Sequence, residues 1–174
     1  TEDTDAAGYV GAAGGTDANL TGGNYTIYAG TAENKALDIS GASLDSCANV
    51  QIYQDNGTKA QIFHVENLGN GLYSIQNINS GKMLDAAGAS SANGTNIWQY
   101  SDNGSAAQRW YITNDYGTDA FTVRSAIDTA KVLDVAGGSS SSGANVQLYS
   151  SNSTAAQKWR FVAVESGNAN IGSG

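Results

Sequence analysis

The chain carries one pattern of polar and aromatic residues three times at constant internal spacing. In each copy a Leu-Asp pair is followed by a tyrosine 15 residues after the aspartate and by a glutamine 23 residues after it. In chain order these residues are Asp38, Tyr53 and Gln61; Asp85, Tyr100 and Gln108; and Asp134, Tyr149 and Gln157. Self-similarity at a period of about 20–50 residues is typical of a repeat architecture, in which each copy is one supersecondary unit. The fold must therefore accommodate three equivalent units.

Within each copy the local pattern is that of short β-strands. Residues 25–28 alternate in polarity, and residues 73–76 and 121–124 begin the next copies in the same way. Clusters of Gly, Asn and Ser separate the runs, as turns do, and helical spacing never persists for two full turns. Four short strands per copy predict an all-β protein. Three copies that close on one another leave no open sheet edge, which favours a β-trefoil with pseudo-threefold symmetry.

The boundaries of this domain follow from where the repeats begin and end. Residues 1–23 contain four acids, no base and no periodicity, which predicts a flexible acidic leader or linker. Residues 165–174 predict a C-terminal linker, so we expect a monomeric module of a larger chain. The predicted β-trefoil domain spans residues 24–164, with repeats at about 24–70, 71–118 and 119–164.

Composition excludes several classes of partner. Eight Lys and Arg residues against sixteen Asp and Glu residues give a net charge of −8, which repels phosphate backbones and predicts no nucleic-acid partner. No run of eighteen apolar residues is present, so we expect no membrane insertion.

Cys47 is the single cysteine and is interpreted as a loop residue. His64 lacks sequence partners for a metal or catalytic role, and no cofactor is expected. The acidic, Gly- and Ser-rich composition favours a secreted or cell-surface protein.

The repeated elements resemble the ricin B-type lectin family. They are Leu-Asp, then Asn-Val-Gln-Ile-Tyr in the first copy, then glutamine followed two residues later by Phe63, Trp110 or Trp159. The resemblance covers residues 24 to about 164 and implies a β-trefoil with one shallow carbohydrate pocket per copy. In the family an aspartate accepts hydrogen bonds from sugar hydroxyls, an aromatic ring stacks on the sugar, and a polar residue adds a contact. The matching sets here are Asp38, Tyr53 and Asn56; Asp85, Tyr100 and Asn103; and Asp134, Tyr149 and Asn152.

Some positions depart from the pattern of the other copies or of the family. Trp98 stands where the other copies have Gln51 and Gln147, and it is interpreted as an exposed extra aromatic platform beside the second pocket. Many family members place an asparagine directly before the glutamine, where this chain has an alanine, and we hypothesise that Asn56 and its counterparts take over its role. The glutamines are interpreted as buried amides that hold the repeat turn, and the aromatic residues after them as core. The three alanines are Ala60, Ala107 and Ala156.

The leading interpretation is non-catalytic carbohydrate binding through up to three sites by a secreted or surface module of bacterial origin. The resemblance implies galactose- or N-acetylgalactosamine-type glycans, with xylan- or arabinan-type plant polysaccharides next. An enzyme that hydrolyses glycosides would need a pair of carboxylates, whereas the three aspartates here belong to separate copies. The alternative is a protein-binding trefoil, such as an inhibitor or an adhesin interaction module, which predicts one distinctive loop in an asymmetric set.

Overall fold

A computed structural model describes residues 15–165 and shows them as β-strands joined by tight turns. Residues 1–14 of the predicted leader and residues 166–174 of the predicted C-terminal linker lie outside the described residues. The strands are β1 Thr16–Asp17, β2 Gly23–Ala29, β3 Lys35–Ile39, β4 Val50–Gln54, β5 Phe63–Gly69, β6 Leu72–Asn77, β7 Met83–Ala86, β8 Ile97–Tyr100, β9 Trp110–Asn114, β10 Ala120–Ser125, β11 Lys131–Val135, β12 Val146–Ser150 and β13 Trp159–Ala163. Short 3-10 turns follow β3, β7 and β11 and precede β5, β9 and β13.

The strands fall into three repeats, which are β2–β5 (repeat 1), β6–β9 (repeat 2) and β10–β13 (repeat 3). The first and last strand of each repeat form a closed antiparallel ring in the order β2, β5, β6, β9, β10, β13 and back to β2. The two middle strands of each repeat form hairpins, β3–β4, β7–β8 and β11–β12. A closed ring with three capping hairpins is a β-trefoil, which confirms the fold class predicted from the repeats.

The core aromatic residue of repeats 2 and 3 joins the strand that carries the Leu-Asp pair to the last strand of the repeat. Phe63, Trp110 and Trp159 are at most 1% exposed, which confirms their interpretation as core. The Trp110 indole N–H donates to the backbone oxygen of Leu84 at 3.3 Å, and that of Trp159 to the backbone oxygen of Leu133 at 3.1 Å. Because buried indole N–H groups need an acceptor, these bonds fix the Leu-Asp strand against the strand that begins with the aromatic residue.

The structure differs from the sequence-based boundary just before the first repeat. Asp17 lies within the predicted leader, yet β1 pairs with the end of β9. The buried Tyr73 hydroxyl donates to Asp17 Oδ1 at 2.6 Å and accepts from the Leu20 amide at 3.0 Å. A buried phenol needs polar partners, and the segment from residue 16 supplies them. This part of the chain therefore belongs to the domain.

Within residues 15–165, no helix has both the length and the apolar character that crossing a membrane requires.

Candidate carbohydrate-binding sites

The aspartate of each repeat is buried and held by two side-chain donors. Asp38 is 5% exposed; its Oδ2 accepts from Gln61 Nε2 at 2.9 Å and its Oδ1 from Gln51 Nε2 at 2.9 Å. Asp134 has the same two bonds, at 2.9 Å and 3.0 Å, from the glutamines of its own repeat. A carboxylate oxygen has two lone pairs. Each aspartate is therefore fixed in place while retaining acceptor capacity for a ligand hydroxyl.

The glutamine after each 3-10 turn connects three parts of its repeat. Besides the aspartate, Gln61 Nε2 donates to the Gln54 backbone oxygen at 2.9 Å, and Gln61 Oε1 accepts from the Asn56 amide at 2.9 Å. Gln108 and Gln157 make the equivalent bonds, and all three side chains are at most 1% exposed. This confirms that the glutamines are buried amides that hold the repeat turn. It also explains the constant spacing of 23 residues from the aspartate.

The three tyrosines project outward from the hairpins. Val50 and Ile52 are buried in the core, whereas Tyr53 is 42% exposed. Tyr100 and Tyr149 are exposed to 38% and 40% in the same position of their strands. The alternation of strand side chains between two faces accounts for this arrangement. An exposed aromatic ring in the same place in every repeat provides a flat surface on which a sugar ring can stack.

The asparagines cap a turn beside each tyrosine and leave their amide nitrogens free. Asn56 Oδ1 accepts from the Thr58 backbone amide at 3.0 Å and from its hydroxyl at 2.8 Å. Asn103 and Asn152 cap their turns in the same way. Among residues 15–165, Nδ2 of each of these asparagines has no hydrogen-bond partner, and the side chains are exposed. Each repeat therefore presents one amide donor next to its tyrosine ring.

Aspartate, tyrosine and asparagine of one repeat line the same surface pocket. We name the pockets site 1, site 2 and site 3 after their repeats. Their volumes are about 420, 350 and 490 Å³. The structure therefore brings each predicted set together in one pocket, whose lining includes a buried aspartate and an exposed tyrosine. The sets are Asp38, Tyr53 and Asn56 in site 1, Asp85, Tyr100 and Asn103 in site 2, and Asp134, Tyr149 and Asn152 in site 3.

Site 2 differs from the other two in its aspartate partner. The Trp98 indole N–H donates to Asp85 Oδ1 at 2.7 Å, in the place of a glutamine amide. The Trp98 ring stacks on Tyr100 with centroids 5.9 Å apart and an interplanar angle of 19°. The indole is half-buried instead of exposed as the sequence predicted, because holding the carboxylate draws its edge inward. It still lines site 2.

Two lining residues escaped the sequence analysis because they come from a neighbouring repeat. Cys47 of repeat 1 lines site 2, and Thr31 of repeat 1 lines site 3. The spacing within a copy carries no signal for such residues. The positions equivalent to Cys47 in the other repeats are occupied by Gly94 and Gly143. The sequence therefore did show that the first repeat differs from the other two at this position.

A closed β-trefoil with one polar and aromatic pocket per repeat defines the class of protein. The chain belongs to the ricin-type β-trefoil lectin domain-like family, whose model matches residues 16–100, 60–149 and 106–173. This family and fold are those of carbohydrate-binding domains, which are themselves non-catalytic, although some are fused to enzymes. No curated protein is significantly similar in sequence.

Several solved structures share the fold. The designed threefold-symmetric protein ThreeFoil is 35% identical, with a TM-score of 0.78, over 81% of this chain and 99% of ThreeFoil. The exo-β-1,3-galactanase 1,3Gal43A of Clostridium thermocellum is 29% identical, with a TM-score of 0.77, over 82% of this chain and 30% of the enzyme. The ricin B-like lectin of Macrolepiota procera, solved with lactose, is 24% identical, with a TM-score of 0.70, over 83% of this chain and 98% of the lectin.

Proposed function

We propose that this chain binds glycans of the galactose or N-acetylgalactosamine type, or of the xylan or arabinan type, without catalysis and through three shallow sites. The observation that carries the proposal is the threefold recurrence of one buried carboxylate, one exposed phenol ring and one free amide donor in a single pocket. Each group suits one feature of a sugar. The carboxylate accepts from vicinal hydroxyls, the ring packs on the C–H face, and the amide donates to a hydroxyl oxygen.

The pockets are open, so each site is expected to bind weakly. A single site with a Kd near 1 mM corresponds to about −4 kcal/mol. Three sites on one rigid body gain avidity on a multivalent glycan, by about a hundredfold or more where the spacing of the ligands permits. We therefore expect strong retention on polysaccharide and weak binding of monosaccharide. Such a module would direct a secreted or surface protein, of bacterial origin, to a glycan-rich surface. The similarity to part of a bacterial galactanase supports this role.

The proposal is tested with the whole chain on a glycan array and by affinity electrophoresis in galactan and xylan. Replacing Tyr53, Tyr100 and Tyr149 together by alanine removes the three stacking surfaces without cutting into the core. We expect wild-type retention and its loss in the triple variant. Leu44→Ala serves as the matched control, since Leu44 is 58% exposed and lies outside the pockets. Failure of the folded wild type to bind any glycan would contradict the proposal and favour a protein-binding trefoil.

A second experiment tests the role of the amide donor. Asn103→Asp keeps an oxygen that accepts from the Ser105 amide at 3.0 Å, so the turn is preserved, but it removes the Nδ2 donor. In a protein with sites 1 and 3 disabled by Tyr53→Ala and Tyr149→Ala, we expect about 2- to 10-fold weaker sugar binding, the value of one hydrogen bond. Isothermal titration or NMR titration provides the measurement. Unchanged affinity would show that Asn103 does not replace the family's asparagine.

A further inference from the structure

Site 2 differs from both other sites at three lining positions. Ser105 stands where the other sites have Thr58 and Thr154 and keeps the hydroxyl, whereas each of the other two changes adds an apolar group. The first is Trp98, which replaces the glutamine found in the other repeats. The second is Cys47, which replaces a glycine and enters from the adjacent hairpin loop. Each replaces a polar or vacant position by an apolar group that lines the pocket.

The exchange of glutamine for tryptophan removes a polar group from the pocket. Gln51 and Gln147 each use Nε2 to hold the aspartate, and their side chains line sites 1 and 3. Each also carries Oε1, an acceptor that the indole of Trp98 lacks. The single N–H donor of the indole is bonded to Asp85. Site 2 thus loses an acceptor that sites 1 and 3 retain, and gains an aromatic surface continuous with Tyr100.

The exchange of glycine for cysteine adds a side chain where the other sites are open. The Cys47 amide donates to the Gln99 backbone oxygen at 2.7 Å, and Gly94 and Gly143 make the equivalent bond to their neighbouring hairpins at 2.8 Å. All three residues have positive φ, and a Cβ built on either glycine would meet open space. The Cys47 side chain therefore adds a small hydrophobic group to the lining of site 2.

We propose that site 2 selects sugar residues that carry a methyl group, either on an acetamido substituent or as a 6-deoxy carbon. Sites 1 and 3 take sugars with hydroxyls alone and show no such preference. This inference rests on the proposed function, because it assigns ligands to the same pockets. A methyl group against Trp98 and Cys47 removes apolar surface from water at no polar cost, while the retained Asp85 and Asn103 still bind hydroxyls. One such group in an apolar pocket is worth about 10- to 200-fold, and in an open site we expect about fivefold.

Proteins with one active site each allow a direct comparison. The site 2 protein carries Tyr53→Ala and Tyr149→Ala, and the site 3 protein carries Tyr53→Ala and Tyr100→Ala. NMR titration measures Kd for galactose, N-acetylgalactosamine and 6-deoxygalactose, with the glucose series in parallel. We expect at least one methyl-bearing sugar to bind about fivefold tighter than its parent to the site 2 protein, and no preference in the site 3 protein. The acetamido and 6-deoxy arms distinguish the source of the methyl group.

Exchanging the distinguishing residues between sites provides the matched control. Trp98→Gln with Cys47→Gly in the site 2 protein is expected to bring the ratio of the Kd values for parent and methyl-bearing sugar down to that of the site 3 protein. Gln147→Trp in the site 3 protein is expected to create part of it. Thermal unfolding confirms that each variant is folded. Equal affinity of the site 2 protein for methyl-bearing and parent sugars would overturn this inference alone. Absence of any sugar binding by the folded wild type would overturn the proposed function with it.

Discussion

One buried glutamine per repeat joins the acid of the pocket to the strand that bears the tyrosine and to the turn that bears the asparagine. In repeat 1, Gln61 makes these three bonds at 2.9 Å. These partners lie on the segments that carry the aspartate, the tyrosine and the asparagine of site 1, so the glutamine positions the binding groups without lining the pocket itself. The glutamine therefore supports ligand binding indirectly, by holding the groups that contact the ligand in position.

Replacing this glutamine should destabilise the domain strongly. Gln61→Ala removes one of the two donors to the Asp38 carboxylate, the side-chain donor to the Gln54 carbonyl and the acceptor of the Asn56 amide. Each lost hydrogen bond costs about 0.5–1.5 kcal/mol. We expect the free energy of unfolding to fall by about 2–4 kcal/mol in urea denaturation. Gln54→Ala is the control, since the Gln54 side chain is exposed and its backbone oxygen is unchanged. A loss below about 0.5 kcal/mol, the size expected of a surface change, would contradict this role.

Cys47 is a second residue whose effect can be isolated. Its φ of +74° lies in the left-handed region, which costs a non-glycine residue about 1–2 kcal/mol. Glycine relieves that strain but gives the unfolded chain more freedom, so Cys47→Gly should raise the free energy of unfolding by up to about 1 kcal/mol. Gly143→Ala, at φ +91°, should lower it. Both are measured by chemical denaturation, and a Cys47→Gly variant less stable than wild type would be inconsistent with strain.

At the scale of the elements, β2 and β13 close the barrel between the first and last repeats. Arg160 lies opposite Tyr28 in this pairing, with its guanidinium carbon 4.7 Å from the centre of the tyrosine ring. The Tyr28 hydroxyl donates to Asp55 Oδ2 at 2.6 Å. Burial, and then the hydrogen bond to the Asp55 carboxylate, raise the pKa of Tyr28 to about 12 from the usual 10.0. The closing seam is therefore linked to the turn next to site 1.

This shift makes the seam sensitive to alkaline pH. The raised pKa means that folding favours the protonated phenol, so its contribution is complete below pH 10 and is lost as pH rises to about 12. Tyr28→Phe cannot lose a proton. We expect the stability of wild type relative to Tyr28→Phe to decline between pH 10 and about 12, measured by urea denaturation at each pH. A stability difference that stays constant across this interval would contradict the assignment.

At the scale of the whole molecule, three asparagines form a ring that joins the capping hairpins. Asn49 Nδ2 donates to Asn145 Oδ1 at 2.8 Å, Asn145 Nδ2 to Asn96 Oδ1 at 2.9 Å, and Asn96 Nδ2 to Asn49 Oδ1 at 2.9 Å. Backbone bridges between the same hairpins surround the ring. Every member donates once and accepts once, so the pseudo-threefold symmetry is expressed in a single closed set of hydrogen bonds.

Opening the ring at any member should have the same effect. Asn96→Ala breaks two of the three bonds, and at about 1 kcal/mol for each bond we expect a loss of about 1–2 kcal/mol. Removing all three asparagines breaks three bonds, whereas the three single variants break six in total. The triple variant should therefore lose about half the sum of the single losses, as coupled sites do. Asn34→Ala, at an exposed position, is the control. Strict additivity would show that the asparagines act independently.

The sequence by itself determined the β-trefoil, the outward tyrosines and the buried glutamines. All of these depend on spacing within one repeat, where short chain distances and the alternation of strand faces define which groups meet. The asparagine ring shows the limit of that reasoning, because Asn49, Asn96 and Asn145 recur 11 residues after each aspartate, yet their mutual contact requires three hairpins to converge.

Only the tertiary structure decided which residues from one repeat enter the pocket of another. β1 pairs with β9, and Cys47 of repeat 1 enters the lining of site 2, only when the repeats close on one another. Residues distant in the chain become neighbours through that closure, and no spacing within a copy records it. The repeats therefore determine the groups that the three sites share and the exchange of glutamine for Trp98, whereas the packing between repeats determines which neighbouring residues, such as Cys47, complete each site.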